Sequence, residues 1–169
     1  MGMSASTLVS LEEYLATPYR PDRDFVDGRV EERNVGEWDH ARLQLKIGAY
    51  FLARYESMGM RVAPELRIRV TETRVRVPDL CVFAEDPGQQ VPSIPPVLCI
   101  EILSPEDRMS RVETRINDYL GMGVRAVWII DPQTRQAYTA TAAEGLREVK
   151  SGVLTVDEPA IEMPLSAVC

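Results

Sequence analysis

Several residue types and patterns that mark common protein classes are scarce in this sequence. It has three cysteines, Cys81, Cys99 and Cys169, which are too few and too scattered for a disulfide framework or a zinc knuckle. No apolar run approaches the roughly 18 residues of a membrane helix, and the N-terminus lacks the pattern of a signal peptide. We therefore expect free thiols and a cytoplasmic protein with no membrane segment.

Lysine and histidine are also scarce. The only lysines are Lys46 and Lys150, and the only histidine is His40, so arginine supplies most of the positive charge. The net charge of −7 argues against a protein that binds nucleic acid by charge alone. It argues less against a metal enzyme, because carboxylates are themselves metal ligands. The planar guanidinium group of arginine also suits phosphate better than the ammonium group of lysine.

The chain shows no repeat and no convincing linker, which predicts one domain over residues 1–169. A capping-box pattern that starts at Ser10 predicts a short helix over Leu11–Ala16. A longer helical pattern starts at Asp39, and Gly59 is a suitable residue to end it. The order of elements is therefore expected to begin with helices.

The rest of the chain alternates strand and helix patterns. Alternating residues predict a β-hairpin with an apolar face and an arginine face, whose second strand runs from Val75 through Asp79 to Phe83. The apolar runs Val97–Leu103 and Val124–Ile130 predict buried strands, with a helix between them that begins at Ser104-Pro105. The tail, from Arg135 to Ala142 and from Gly145 to Val156, predicts a C-terminal β-hairpin. Together the elements indicate an α/β fold with a mixed β-sheet flanked by helices.

Glu101 stands inside the apolar run Val97–Leu103 and needs an explanation. Burying an unpaired carboxylate costs several kcal/mol, so Glu101 must be paired, protonated or bound to a metal. An internal salt bridge to an arginine is the simplest alternative to a metal.

Asp79 adds weight to the metal alternative. If the two strands pair antiparallel with Asp79 opposite Glu101, then Cys81 lies opposite Cys99, and both carboxylates share one face with the thiols beneath them. Two converging carboxylates favour a cation between them, and hard oxygen ligands favour Mg²⁺ or Mn²⁺. The thiols are possible soft ligands, although buried cysteine more often only packs.

An arginine stripe follows the Glu101 strand. Arg108, Arg111 and Arg115 recur at helical spacing, which is also typical of a solvated helix face. Because Ser104-Pro105 joins this helix directly to the Glu101 strand, we predict that one end of the stripe faces the metal. Arg108 and Arg111 are then candidates for binding nucleic acid.

These motifs, in this order, resemble the Uma-two family of bacterial proteins described as endonucleases, a branch of the PD-(D/E)xK, restriction-endonuclease-like superfamily. The matching segments are Pro78-Asp79, Glu101–Pro105, the arginine-rich helix with Tyr119, Gly123-Val124 and Trp128–Pro132. Upstream, Leu11–Leu15, Asp24–Gly28 and His40 also match. The resemblance extends over residues 8–165, which is most of the chain.

The resemblance implies an α/β/α fold and DNA as the substrate. It also implies a metal held by Asp79, Glu101 and a neighbouring backbone carbonyl. Asp24 would add a ligand or orient a water. His40 would contact phosphate or transfer a proton, and a structural role for it stays open. Nucleases of this fold often act as homodimers, so the resemblance also implies a homodimer.

The sequence departs from the family at its lysine. The superfamily places this lysine two residues after Glu101, where this chain has Leu103, and the family usually places it on the next helix, where this chain has Arg115. Arginine can clamp a phosphate but cannot act as a general base. Lys46 is an alternative that nothing in the sequence places at the site.

Three functions remain open. The first is an Mg²⁺-dependent endodeoxyribonuclease in which Arg115 clamps the phosphate. The second is a catalytically impaired, dimeric nucleic-acid-binding or scaffold domain of the same fold. The third is a metal-dependent hydrolase of another phosphate ester.

Overall fold

The computed structural model describes residues 7–169. The α-helices are α1 (Leu11–Ala16), α2 (Trp38–Tyr55) and α3 (Met109–Met122). The strands are β1 (Arg23–Val26), β2 (Arg29–Glu32), β3 (Arg61–Pro64), β4 (Ile68–Thr71), β5 (Arg74–Arg76), β6 (Leu80–Phe83), β7 (Leu98–Ile102), β8 (Ala126–Ile130), β9 (Ala137–Thr141), β10 (Gly145–Glu148), β11 (Val153–Val156) and β12 (Ile161–Pro164). Short 3₁₀ turns cover Glu56–Met58 and Leu165–Ala167.

A mixed six-stranded sheet forms the centre of the structure, in the order β10-β9-β8-β7-β6-β3. Strands β7 and β8 are parallel and are connected through α3, while the other pairs are antiparallel. Helix α2 packs on one face of this sheet and α3 on the other. The predicted α/β/α arrangement is therefore confirmed.

Strand periodicity explains the two cores. Successive side chains of a strand point to opposite faces, so Leu80 and Leu98 face α2 while Cys81 and Cys99 face α3. The predicted register is confirmed, because Cys81 is the partner of Cys99 in the β6–β7 ladder. Asp79 directly precedes β6, so this register places Asp79 and Glu101 on the α3 face above the thiols.

A second, four-stranded sheet has the order β2-β1-β5-β4. The prediction of one continuous strand from Val75 to Phe83 was wrong, because β5 belongs to this sheet and β6 to the six-stranded sheet. Two features break the strand: Val77 N donates to the Asp24 side chain at 3.0 Å, and Pro78 has no N–H to donate. The crossing between the sheets leaves Asp79 at their junction.

Helix α3 begins at Met109, four residues after Pro105, the predicted first helical residue. The intervening residues form a closed turn instead. Asp107 N donates to the Ser104 carbonyl at 2.9 Å, and Asp107 Oδ2 accepts from Ser104 N at 2.7 Å. This local hydrogen bonding competes with the helix, and it leaves Arg108 just before the first helical residue.

The other predicted elements agree with the structure. Helix α1 has its predicted bounds, and Ser10 Oγ caps it by accepting from Glu13 N at 3.0 Å. Helix α2 begins one residue before the predicted Asp39, and Gly59, at a φ of 90°, ends the turn that follows it. Strands β9 and β10 form a hairpin within the predicted segments, and β11 and β12 form a further hairpin at the C-terminal end. Within the described residues, no helix has the length and apolar character that crossing a membrane requires.

Candidate active site

The carboxylate of Asp79 is held from three directions. Oδ1 accepts a hydrogen bond from Arg33 Nη2 at 2.9 Å, and Oδ2 accepts one from the backbone N of Ile102 at 2.7 Å. His40 Nε2 lies 3.3 Å from Oδ2. Burial acts to raise the pKa of Asp79, but His40 and Arg33 outweigh it and lower the pKa below its ordinary value. Asp79 is therefore a fixed, ionised group.

Glu101 lies on β7 and is 2% exposed. Its Oε1 accepts a hydrogen bond from the Tyr119 hydroxyl at 2.7 Å, and Arg115 Nε lies 3.8 Å from the same oxygen. Burial raises the pKa of Glu101 to about 7, while Arg115 acts to lower it and the charge of Asp79 to raise it further. Glu101 therefore exchanges its proton near neutral pH, in contrast to Asp79.

Both carboxylates line one narrow cleft, which we call the carboxylate cleft. Its volume of about 10 Å³ is close to that of one water-sized sphere. Its other lining residues are Arg33, Asn34, His40, Ile102, Ser104, Asp107 and Arg115. A wider cleft of about 250 Å³, the arginine cleft, adjoins it and shares Arg33, Asn34, Asp107 and Arg115. The carboxylate pair therefore lies at the base of a larger opening.

Two arginines neutralise the carboxylate pair. Arg33 and Arg115 are 10% and 14% exposed, and the Nε of each is buried with no hydrogen-bond acceptor among residues 7–169. The charge of Glu101 raises the pKa of Arg115 above its ordinary value, against the effect of burial. The salt bridge that the sequence left open is therefore present here, and a metal would have to share the cleft with both arginines.

Sequence reasoning placed Arg115 near Glu101 but missed Arg33. Arg33 lies in the loop after β2, where there is no helical or strand period to show the direction of its side chain. In sequence, Glu31-Glu32-Arg33 is a short run of charged residues, which is typical of a solvent-exposed surface. The only available signal was its closeness in sequence to the acidic turn Asp24–Gly28.

His40, on the first turn of α2, is held between Asp79 and Gly36. Its Nδ1 is buried without a hydrogen-bond partner in the part of the chain that the structure describes. A Cβ at Gly36 would come within 3.0 Å of this nitrogen, so the backbone at Gly36 covers that side of the ring. Burial acts to lower the pKa of His40, but the contact with Asp79 raises it above its ordinary value. The His40 ring is therefore held so that its Nε2 contacts and orients the Asp79 carboxylate.

Asp24 takes part in a buried ion-pair network. Its Oδ2 accepts from Arg76 Nη1 and its Oδ1 from Val77 N, each at 3.0 Å. Arg33 Nε lies 4.0 Å from Asp24 Oδ1, so Arg33 connects Asp24 with Asp79. Arg76 is 3% exposed and also donates to Asp118 Oδ2 at 2.7 Å. The arginine face of the hairpin is therefore buried at Arg76.

The other predicted cations lie further from the carboxylates. Arg108 and Arg111 are exposed and line the arginine cleft. Lys46 is exposed on α2 and lines a separate cleft with Arg135. Arg33 and Arg115 are thus the cations that line the carboxylate cleft, together with His40 when it is protonated.

Cys81 and Cys99 lie buried in the core beneath the carboxylates. Burial raises the pKa of the Cys81 thiol to about 12 and that of Cys99 well above its ordinary value. A metal is bound by the thiolate, which these shifts disfavour. The packing explanation of the two cysteines fits better than a ligand role.

The donor set bears on which metal the site can accept. Among residues 7–169, no three His, Cys, Asp or Glu side chains lie close enough together to hold a metal ion. Mg²⁺ commonly takes only one or two protein carboxylates and completes its shell with water and substrate phosphate. Among residues 7–169, the hydrogen bond and the ion pair of Glu101 both go to Oε1, which leaves Oε2 available as a ligand oxygen. The residues therefore fit Mg²⁺ or Mn²⁺ and do not fit a structural zinc site.

Comparisons with known proteins agree with this fold. The structure is similar to a crystal structure described as that of a putative nuclease belonging to DUF820 from Anabaena variabilis ATCC 29413. The TM-score is 0.79 at 20% sequence identity, over 95% of this chain and 97% of that chain, which shows a shared fold. No curated protein matches this sequence. The model of the Uma2 family, described as "Putative restriction endonuclease", matches residues 11–166. Because that match covers nearly the whole chain, this protein belongs to the Uma2 family.

Proposed function

We propose that this protein is a divalent-metal-dependent nuclease that hydrolyses phosphodiester bonds of DNA. The observation that carries the proposal is the pair of buried carboxylates, Asp79 and Glu101, at the base of a cleft lined by six arginines and five acidic residues. The descriptions of the family and of the structurally similar protein, which both name nucleases, support the reaction class.

Asp79 and Glu101 would hold Mg²⁺ or Mn²⁺. When bound, the metal would lower the pKa of a coordinated water and stabilise negative charge on the phosphate. The chain itself supplies orientation, because Ile102 N fixes one oxygen of Asp79 and the Tyr119 hydroxyl fixes one oxygen of Glu101. Such supporting hydrogen bonds set the direction of the ligands.

Arg33 and Arg115 would bind the scissile phosphate. Within the described part of the chain, residues 7–169, the Nε–H of each is buried without an acceptor, and a phosphate oxygen is an acceptor that satisfies it. Both side chains stay protonated, so they stabilise developing negative charge and do not act as general bases. Arg115 thereby takes over the electrostatic part of the role of the family's lysine.

His40 is proposed as a positioning residue for Asp79. Its Nε2 lies 3.3 Å from Asp79 Oδ2, and its Nδ1 faces the covered side at Gly36. Neither nitrogen is then free to transfer a proton to the substrate. Asp24 is proposed to position Arg33 in the same way, through their 4.0 Å contact.

Cleavage of supercoiled plasmid tests this function. The native protein should nick the plasmid with Mg²⁺ or Mn²⁺ and should not do so in EDTA. Arg115→Gln should lower the rate about 100-fold, the typical effect of removing one donor that stabilises a transition state. Arg115→Lys keeps the charge and should stay within about tenfold of the native rate.

The outcomes separate the roles. A rate above native for Arg115→Lys would show that the family's lysine does something that arginine cannot. An Arg115→Gln rate equal to native would exclude Arg115 from the reaction. No metal-dependent nicking by the native protein would contradict the nuclease proposal.

One observation favours a second candidate, a non-catalytic, dimeric nucleic-acid-binding or scaffold domain. The Arg33–Asp79 and Arg115–Glu101 pairs neutralise the two carboxylates without any metal. A site of this kind is stable as a purely structural network. DNA binding without cleavage, together with a dimeric mass in solution, would support this candidate.

A further inference from the structure

We propose that a cleft beside Trp38 binds an unpaired nucleic-acid strand where it leaves the active site, with one base stacked on the Trp38 ring. We call it the Trp38 cleft. The proposal rests on the proposed nuclease function and names the form of its substrate.

Trp38 is the first residue of α2 and its side chain is unusually exposed. It is 76% exposed, whereas the other tryptophan, Trp128, is fully buried. The Arg42 guanidinium carbon lies 5.9 Å from the centre of the Trp38 ring. An exposed aromatic ring beside an arginine is the arrangement on which proteins stack the bases of single strands.

The charge around Trp38 is opposite in sign to that of the whole chain. The Trp38 cleft has a volume of about 560 Å³, and its charged side chains are Arg42, Lys46, Arg135 and Asp39. Three cationic side chains thus stand against one carboxylate side chain in a protein with a net charge of −7. A local positive cleft in an acidic protein attracts a polyanion.

The Trp38 cleft connects with the active site. A cleft of about 310 Å³ lies between them, and Trp38 and Asp39 line both it and the Trp38 cleft. It also shares His40 and Ser104 with the carboxylate cleft. A strand whose phosphate lies at Asp79 and Glu101 can therefore continue to Trp38.

The connecting cleft carries the carboxylates Glu37, Asp39 and Glu106. These charges repel phosphates, so we place the phosphate contacts at the two ends of the path, at Arg33 and at Arg42. A base in a duplex is stacked on both faces, which leaves no face for Trp38. The strand that reaches Trp38 must therefore be unpaired there.

A second copy of this chain is the competing occupant. Trp38 is the first residue of an exposed apolar row on α2, which also contains Leu45 and Leu52. These leucines are 62% and 55% exposed. A twofold pairing through this row uses the same patch on both copies. It would bring Arg42 and Lys46 close to the same cations of the other copy. Repulsion between these like charges opposes the pairing of two copies, whereas a phosphate backbone is attracted to the cations.

The fluorescence of Trp38 provides the test. The chain has two tryptophans, and Trp128 is buried, so a change caused by a bound strand reports on Trp38. The native protein is titrated with a short oligothymidylate in EDTA, which blocks metal-dependent cleavage. Trp38 emission should be quenched, and the matched duplex should quench it less.

Three variants complete the design. Trp38→Leu should raise the Kd, measured by anisotropy of the labelled strand, about 5- to 100-fold, as expected for one lost stacking contact. Arg42→Gln should reduce the salt dependence of binding by about 0.7 in the log–log slope. Lys150→Gln removes an exposed cation that lies outside these clefts, and its Kd should equal the native value.

The outcomes are separable from those of the nuclease test. Quenching without any cleavage in Mg²⁺ would support this site and contradict the proposed function. Cleavage with no quenching and an unchanged Kd for Trp38→Leu would overturn this site alone. A concentration-dependent dimer that Trp38→Leu abolishes, with no effect of the oligonucleotide, would assign the surface to a second copy and would also overturn it.

Discussion

Glu101→Gln is expected to reduce metal-dependent DNA cleavage about 1000-fold, equivalent to about 4 kcal/mol of transition-state stabilisation. Glutamine has nearly the same shape and still offers an oxygen to the Tyr119 hydroxyl, which now bonds Glu101 Oε1 at 2.7 Å. The fold should therefore survive, and the charge that a divalent cation needs is lost. Initial rates of plasmid nicking, with circular dichroism to verify folding, measure the effect.

Glu113→Gln is the matched control for this experiment. Glu113 is exposed on α3, the helix that carries Arg115 and Tyr119, and the same change there should leave the rate unaltered. If Glu101→Gln keeps more than a tenth of the native rate, Glu101 is not a metal ligand in the reaction.

Arg76→Gln is expected to destabilise the protein by about 3–5 kcal/mol, the typical result of breaking a buried ion pair by removing one partner. Arg76 is 3% exposed and bonds Asp24 at 3.0 Å and Asp118 at 2.7 Å. Without it, buried Asp24 loses the arginine that bonds it, and Asp118 loses one of its two arginine partners. Because Asp118 lies on α3 and Asp24 on β1, the connection between the four-stranded sheet and α3 is weakened.

Urea unfolding of the native and variant proteins measures this loss. Arg74→Gln is the matched control, because Arg74 also bonds Asp118, at 2.9 Å, but its side chain is 31% exposed. Exposed pairs contribute about 1 kcal/mol or less. Equal losses for the two variants would contradict the special role that the structure gives to Arg76.

The features that sequence predicted best depend on local periodicity. The Ser10 cap gave the start of α1. The register of β6 and β7 was predicted by placing Asp79 opposite Glu101, and two-residue alternation then put Cys81 opposite Cys99, as in the structure. These predictions succeeded because each needed only the regular geometry of one helix or one strand pair.

The errors arose where side chains replace backbone partners. Strand β5 ends at Arg76 because the next N–H, that of Val77, donates to the Asp24 side chain. The two residues are 53 positions apart, so no local sequence pattern indicates that the strand ends there. Helix α3 begins later than predicted because Ser104 N donates a hydrogen bond to the Asp107 side chain. Arg33 was missed for the same reason, since only the tertiary fold brings its loop to Asp79.

Calorimetric titration of the metal-free protein with Mg²⁺ and Mn²⁺ tests the central claim, that Asp79 and Glu101 form a divalent-metal site. The native protein should bind, and Glu101→Gln should show no binding at the same concentrations.

Because the pKa of Glu101 is raised to about 7, protons compete with the metal below that pH. Affinity should therefore weaken as the pH falls from 7 towards 5 and level off above 8. Absence of binding by the native protein, or equal binding by Glu101→Gln, would contradict the account and leave the Arg33 and Arg115 salt bridges as the reason for the two buried carboxylates.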